Sequence, residues 1–149
     1  MALKTGKKAP LFKLPSSEGD IFNLEEHKGS PLVIYFYPKN FTRGCTKEAC
    51  SFRDNHSELE ELAIKVVGIS RDTVNSHKKF KEKNNLTFEL LSDKNGEVCK
   101  LYDALIPVLN IPKRVTYLLD SDLNIINSFD SLFGYKAHIE NALQAFKSK

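Results

Sequence analysis

The stretch Leu32-Val-Ile-Tyr-Phe-Tyr-Pro-Lys-Asn-Phe-Thr-Arg-Gly-Cys-Thr-Lys-Glu-Ala-Cys-Ser-Phe-Arg-Asp54 organises the rest of the chain. It opens as an unbroken apolar run, Leu32 to Tyr37, rich in β-branched and aromatic residues and ended by Pro38. A run that short reads as a strand buried on both faces. A polar loop follows, holding Thr42 and Gly44 ahead of Cys45. A helical pattern then takes over, with Ala49, Phe52 and later Leu59 and Leu62 as its apolar members. Cys45 is thereby placed where a buried strand feeds a loop that opens a helix. Backbone N–H groups lack intrahelical partners there, and the helix dipole favours an anion. A thiolate is such an anion, so the first expectation is a reactive thiol at Cys45 with Cys50 close by.

Outward from this stretch, the chain reads as alternating elements. Leu11 to Leu14 and Ile21 to Leu24 flank Pro-Ser-Ser-Glu-Gly-Asp20 and suggest a β-hairpin. Leu24 to Gly29 suggests one helical turn closed by glycine. Beyond the central strand and helix, Ile64 to Ser70 reads as a second buried strand. Asp72 or Thr73 caps a helix carrying Val74, His77 and Phe80, stopped at Asn84-Asn85. A short strand at Phe88 to Ser92, a turn at Asp93 to Gly96 and a short helix from Glu97 to Leu105 come next. Pro107 and Pro112 bracket a loop. Val115 to Leu119 and Leu123 to Phe129 flank Asp120-Ser-Asp122, a hairpin signal. An amphipathic helix from about Lys136 to Phe146 closes the chain. Strands alternating with helices imply parallel pairing through right-handed crossovers, and the late hairpin adds antiparallel strands. The expected class is α/β, with a mixed central sheet flanked by helices and an N-terminal hairpin. With 149 residues, and no linker or repeat, the chain is expected to form one domain over 1–149.

Charge and leader signals narrow the function classes. Twenty-two basic and 19 acidic residues leave a net charge of +3, with the lysines dispersed, which argues against a nucleic-acid partner. No apolar run approaches a membrane span. Met-Ala-Leu-Lys-Thr-Gly-Lys-Lys-Ala-Pro10 has no apolar core of a signal peptide, so a cytoplasmic location is expected. On that reading the sequons at Asn40, Asn55 and Asn85 are chance matches. Three cysteines are an odd count for a disulfide framework and point to catalytic, metal-binding or merely buried thiols.

Spacing removes several of these. A zinc site needs about four ligands at suitable intervals, and His27, His56, His77 and His138 share no spacing with one another or with the cysteines. No structural metal is expected. A phosphatase-type loop needs an arginine six residues after its cysteine, where this chain has Ser51. The Cys-x-x-Cys of a disulfide carrier is absent. Thiol-based reduction of a small oxidant remains.

On those residues the chain resembles the peroxiredoxin family, most closely its bacterioferritin-comigratory-protein (PrxQ) type, over nearly its full length. The resemblance is carried by Phe36 to Asp54 and by Pro112-Lys-Arg-Val-Thr-Tyr-Leu-Leu-Asp120. Pro38, Thr42 and Cys45 meet the family pattern Pro-x3-Thr-x2-Cys, and Arg114 meets its distant arginine. Cys50 meets the subfamily's second cysteine. Ala9-Pro10 and Gly68-Ile-Ser70 also fit. Arg43 stands where the subfamily usually has proline, a difference that bears on loop rigidity rather than on chemistry.

The resemblance implies a thioredoxin-like fold and a thiol-dependent peroxidase acting on hydrogen peroxide or organic hydroperoxides. Cys45 attacks the peroxide and becomes a sulfenic acid. Arg114 holds a positive charge beside it, Thr42 offers a hydroxyl to the peroxide oxygens, and the Gly44 and Cys45 amides stabilise the leaving oxygen. Pro38 shapes the pocket and Glu48 helps hold the arginine. Cys50 resolves the sulfenic acid as an intramolecular disulfide, recycled by thioredoxin. No haem, flavin, metal or other cofactor is implied, and the subfamily favours a monomer. Five residues on a helix separate Cys45 and Cys50 by about 7.5 Å of rise and about 140°. Their Cα atoms then lie roughly 8–9 Å apart, beyond the ~7 Å a disulfide spans. Resolution therefore implies unwinding of the first helical turns. Cys99 is read as structural. A non-enzymatic redox sensor that passes the oxidation of Cys45 to a partner is the rival reading.

Overall fold

The computed structural model of the chain describes residues 3–130 and Gln144. The closing helix expected from about Lys136 lies outside the described residues. The two short apolar pieces near the N-terminus pair as antiparallel strands β1 (Lys13–Pro15) and β2 (Ile21–Asn23). Asn23 then caps a 3-10 turn, Leu24–His27, its side chain accepting from the Glu25 N–H. The apolar run forms β3 (Leu32–Phe36), every residue of it buried.

After β3 the helical pattern divides. Helix α1 (Arg43–Asp54) stops at Asn55, and α2 (His56–Glu61) follows. The reading of one helix through Leu62 is corrected by Asn55. Its amide Nδ2 donates to the Ser51 carbonyl at 2.8 Å, the local side-chain bond by which asparagine competes with helix propagation. Strand β4 (Lys65–Ser70) leads to α3 (Val74–Asn84). The Thr73 hydroxyl caps α3 at the Ser76 N–H, and Asn85 ends it in the left-handed region. Strand β5 (Glu89–Ser92) and helix α4 (Glu97–Leu101) come next. The expected helix to Leu105 ends four residues early, because Asp103 takes φ +51°. The loop expected between Pro107 and Pro112 is there over 107–110, and it joins a small hairpin not read from the sequence, β6 (Leu105–Ile106) with β7 (Ile111–Pro112). Strands β8 (Val115–Leu119) and β9 (Ile125–Asp130) form the late hairpin, with a register shift at Leu118/Leu119.

The central sheet has the order β5-β4-β3-β8-β9, parallel on the β4–β5 side of β3 and antiparallel on the β8 side. It is the mixed sheet expected from the sequence. Each face buries its own core. Val33, Tyr35 and Tyr37 join Cys45, Ala49 and Phe52 of α1 and Phe80 of α3 on one side. Ile34 and Phe36 join Val98, Cys99 and Tyr102 around α4 on the other. Phe52 stacks on Tyr35 with ring centroids 4.7 Å apart. Full burial of such a side chain is worth about 2–3 kcal/mol and pins α1 to the sheet. Tyr35 needs room as well as contacts. Its register partner is Gly68, where an added Cβ would stand 2.7 Å from the tyrosine Cζ.

Two features of this sheet position the site. Tyr37 directly follows β3 and carries the chain into the loop before α1. The register Phe36↔Val115 sets the end of β3 beside the start of β8, so Arg114 reaches the same sheet edge.

Candidate active site

Cys45 lies in the first turn of α1 and is 1% exposed. Its burial follows from the pattern of the helix: with Glu48, Ala49 and Phe52 it forms the stripe facing the sheet. Arg114, one residue before β8, donates from Nη2 to Cys45 Sγ at 3.2 Å and from Nη1 to Glu48 Oε1 at 2.5 Å. One guanidinium thus bridges the thiol and the carboxylate one turn beyond it. The ion pair is enclosed, with side-chain exposures of 7% and 0%.

Electrostatics in this triad are set by burial. Desolvation pushes the Glu48 carboxyl up to about 7, although the Arg114 charge and hydrogen bond oppose the rise. Its Oε2 is buried with no hydrogen-bond partner among the described residues, which leaves that oxygen as the natural seat of a proton. Burial acts on Arg114 in the opposite sense, yet Glu48 and Cys45 together hold its guanidinium above the ordinary arginine range. The arginine stays charged while the carboxyl is poised.

Gly44 has a tighter duty than sequence alone indicates. A Cβ there would stand 3.2 Å from Arg114 Nη2 and 4.0 Å from Cζ. The glycine therefore admits the guanidinium that touches Cys45. Glu48 restrains Arg114 from yielding, so Gly44→Ala is expected to displace Nη2 from Sγ. We expect the rate of peroxide reaction at Cys45 to drop about tenfold, since misplacement by an ångström costs on the order of a hundredfold. Stability is expected to change little, because alanine gains up to about 1 kcal/mol over glycine within a helix. Quenched-flow oxidation rates and melting curves measure the two effects separately.

The other residues singled out from sequence sit around this centre. Thr42 is the N-cap of α1 by position but makes no side-chain cap; its Oγ1 donates to the Lys39 carbonyl at 2.9 Å. The Thr42 carbonyl takes the first intrahelical bond, from Thr46 N–H at 2.9 Å. The hydroxyl keeps its acceptor lone pairs, and the first-turn amides of α1 have no acceptor within the helix. Pro38 is half-buried at the head of the loop, and Arg43 is exposed. Cys50 is only partly buried, about 140° round the helix from Cys45, with its Sγ 3.8 Å from Asn84 Oδ1 on α3. Both cysteines are free thiols within one unbroken helix. Cys99 is fully buried; burial and the neighbouring Asp93 carboxylate both push its thiol far up.

A second group of residues went unread in the sequence. Asn40, in the loop ahead of Cys45, is 2% exposed between exposed neighbours Lys39 and Phe41. Its Oδ1 accepts from the Tyr37 hydroxyl at 2.6 Å, and its Nδ2 lies 2.9 Å from His77 Nδ1 and 3.1 Å from Ser76 Oγ. Its backbone N–H donates to Asp72 Oδ2 at 3.0 Å. The signal in the sequence was a histidine on the apolar spacing of a helix, Val74, His77 and Phe80, which calls for a buried polar partner from elsewhere.

Residues 5–128 match the model of the AhpC/TSA family. The peroxiredoxin bcp of Coxiella burnetii is 44% identical over 128 residues, which cover 82% of this chain and 85% of that protein. The peroxiredoxin Bcp of Bacillus subtilis is 38% identical over 153 residues, covering 99% and 97%. Among solved structures, peroxidoxin BcpB of Mycobacterium tuberculosis superposes with a TM-score of 0.92 at 36% identity, covering 98% of this chain and 97% of that one.

Proposed function

The chain belongs to the AhpC/TSA family as a peroxiredoxin of the Bcp/PrxQ type, and on that premise we propose that Cys45 is its peroxide-reactive thiol. The chain is a thiol-dependent peroxidase, an oxidoreductase that takes a hydroperoxide as oxidant and a thiol as reductant. The observation supporting Cys45 as the reacting atom is the Arg114 guanidinium that spans Cys45 Sγ and Glu48 Oε1. A permanent cation beside the buried sulfur complements the negative charge that develops on the peroxide oxygens during attack.

The first step is an in-line displacement. The Cys45 thiolate forms an S–O bond as the O–O bond breaks; sulfur loses two electrons and the peroxide is reduced. The departing oxygen takes up a proton and leaves as water or an alcohol, while Cys45 holds the sulfenic acid. Arg114 and the Gly44 and Cys45 amides surround the place where negative charge develops, while Thr42 Oγ1, whose proton goes to the Lys39 carbonyl, is left to accept from the hydroperoxide O–H. Glu48 positions Arg114, and Pro38 shapes the loop that screens the pocket from water.

In the second step the Cys50 thiol displaces hydroxide from the sulfenic acid, giving a Cys45–Cys50 disulfide and water. The continuous helix from Arg43 to Asp54 and the turn of Cys50 toward Asn84 support a site with two states. It is folded for attack on peroxide and locally unwound for disulfide formation. A dithiol reductant of the thioredoxin type restores both thiols. The proposal extends to hydrogen peroxide and small organic hydroperoxides as substrates, a single domain, a monomer and a cytoplasmic setting that keeps the cysteines reduced.

Peroxide-dependent NADPH oxidation through thioredoxin and its reductase tests this reading; stoichiometric oxidation of Cys45 without turnover would mark a redox sensor instead. For Cys50→Ser the first oxidation is expected to proceed normally. Thioredoxin-driven turnover is expected to fall on the order of a hundredfold, because a neighbouring thiol at high effective molarity is replaced by a bimolecular encounter. Mass spectrometry of the peroxide-treated wild type is expected to find Cys45 linked to Cys50; a dominant link to Cys99 would remove Cys50 from the role.

A further inference from the structure

We propose that Asn40 and His77 are positioning residues for the peroxide-reacting loop, holding Thr42 and the first turn of α1 in register with the peroxide. The inference deepens the peroxidase reading and rests on it. The loop from Pro38 to Thr42 has no secondary structure of its own, and within it Asn40 alone is buried. Both ends of its side-chain amide are engaged: Oδ1 by the Tyr37 hydroxyl, and Nδ2 by Ser76 Oγ and His77 Nδ1. Its main-chain N–H is held by Asp72, whose Oδ2 also receives the Ser70 hydroxyl at 2.6 Å. One residue of the loop is thus tied to the end of β3, to the turn after β4 and to α3.

The histidine makes the tie directional. His77 is wholly buried, and its Nε2 lies 2.9 Å from the Leu91 carbonyl, which can only accept. Nε2 therefore carries the proton, and in the neutral ring Nδ1 is left to accept from Asn40 Nδ2. Burial supports the neutral ring by lowering its pKa to about 4, against the pull of Asp72. The shorter contacts run from Tyr37 through Asn40 and His77 to β5, and the Tyr37 hydroxyl also lies 3.4 Å from His77 Nδ1.

The anchor holds strain in place. Phe41, the next residue, sits at φ +64°, a left-handed conformation that costs an aromatic residue about 1–2 kcal/mol. Its ring meets Phe80 of α3 edge-on at 5.2 Å. Thr42 follows, and its carbonyl receives both the N–H and the hydroxyl of Thr46 at 2.9 and 2.7 Å. Releasing Asn40 lets Phe41 relax, and that movement reaches Thr42 Oγ1 and the amides beside Cys45. The Arg114 contact comes from the residue just ahead of β8 and shares no hydrogen bond with this anchor.

Two rates on the reduced full-length protein separate positioning from mere support. One is the oxidation of Cys45 by hydrogen peroxide, followed by quenched-flow mass spectrometry. The other is alkylation of Cys45 by iodoacetamide at the same pH, which needs the sulfur but not the peroxide-binding groups. Asn40→Ala is expected to slow the peroxide reaction about a hundredfold while alkylation is unchanged or faster. His77→Leu is expected to behave likewise, and His77→Gln, which keeps one acceptor and one donor, to recover most of the peroxide rate. All variants are compared well below their melting temperatures. An unchanged peroxide rate in folded Asn40→Ala and His77→Leu, or a parallel fall in both rates, overturns the assignment. Slow oxidation of the wild type itself would instead count against the peroxidase reading.

Discussion

Cys45→Ser is expected to abolish peroxide turnover, with a loss on the order of 10⁴-fold or more in the coupled NADPH assay. A serine hydroxyl is neither ionised at neutral pH nor able to accept an oxygen atom, so neither half of the cycle can run through it. The fold is expected to survive. The hydroxyl still offers an acceptor to Arg114 Nη2, and the residue remains one small member of a stripe anchored by Ala49 and Phe52. Melting curves should therefore stay close to the wild type. A Cys45→Ser variant with full peroxide reactivity would move the chemistry elsewhere in the chain.

Arg114→Leu is expected to produce the second largest effect, and in two observables. Peroxide reactivity should fall about 10²- to 10³-fold, the cost of removing a preorganised donor from a site of developing charge. Stability should fall by about 3–5 kcal/mol where Glu48 is ionised, because the substitution leaves a buried carboxylate without its partner. The pH dependence fixes the cause. Burial already raises the Glu48 carboxyl from 4.5 to about 7, and Arg114 opposes that rise, so its removal sends the group higher still. A folded-state pKa above the unfolded one means that the native protein binds the proton more tightly. The associated stability is present below the unfolded value and is lost as pH rises through the folded one. Urea midpoints of the variant, compared with the wild type at about pH 5.5 and pH 8, should show the smaller deficit at the lower pH. A deficit independent of pH would assign the loss to packing rather than to the orphaned carboxylate.

The sequence made the central strand, the placement of Cys45 at a helix start and both hairpins readable. Those rest on local features: an apolar run too short for a helix, a loop with Gly44, and turn residues between alternating pieces. The misreadings were also local in origin. Asn55 splits the helix after Asp54 through a side-chain bond to Ser51, which leaves Leu59 and Leu62 on a plausible continuing period. Asp103 turns out of α4 with a positive φ that aspartate tolerates but composition does not announce. Within the site, Arg114 entered through resemblance alone, since nothing in its neighbours specifies a partner 69 residues away. Asn40 and His77 escaped notice for a related reason. A buried polar network is defined by which surfaces meet, and a polar residue in a loop reads as solvated until the helix that covers it is in place.

The register Phe36↔Val115 that brings Arg114 to Cys45 has a consequence for the birth of the protein. Residues up to Asp54 leave the ribosome well before Val115 to Leu119, so the nascent chain carries Cys45 as an ordinary, unassisted cysteine. The long loop between the two strands must close before the guanidinium arrives, and that step belongs to the slow, non-local part of folding. Chemical competence should consequently appear as a late event in refolding, coincident with the pairing of β3 and β8 rather than with helix formation. An immature chain is thereby spared from consuming oxidant, or from being over-oxidised, before the residues that manage the reaction are present.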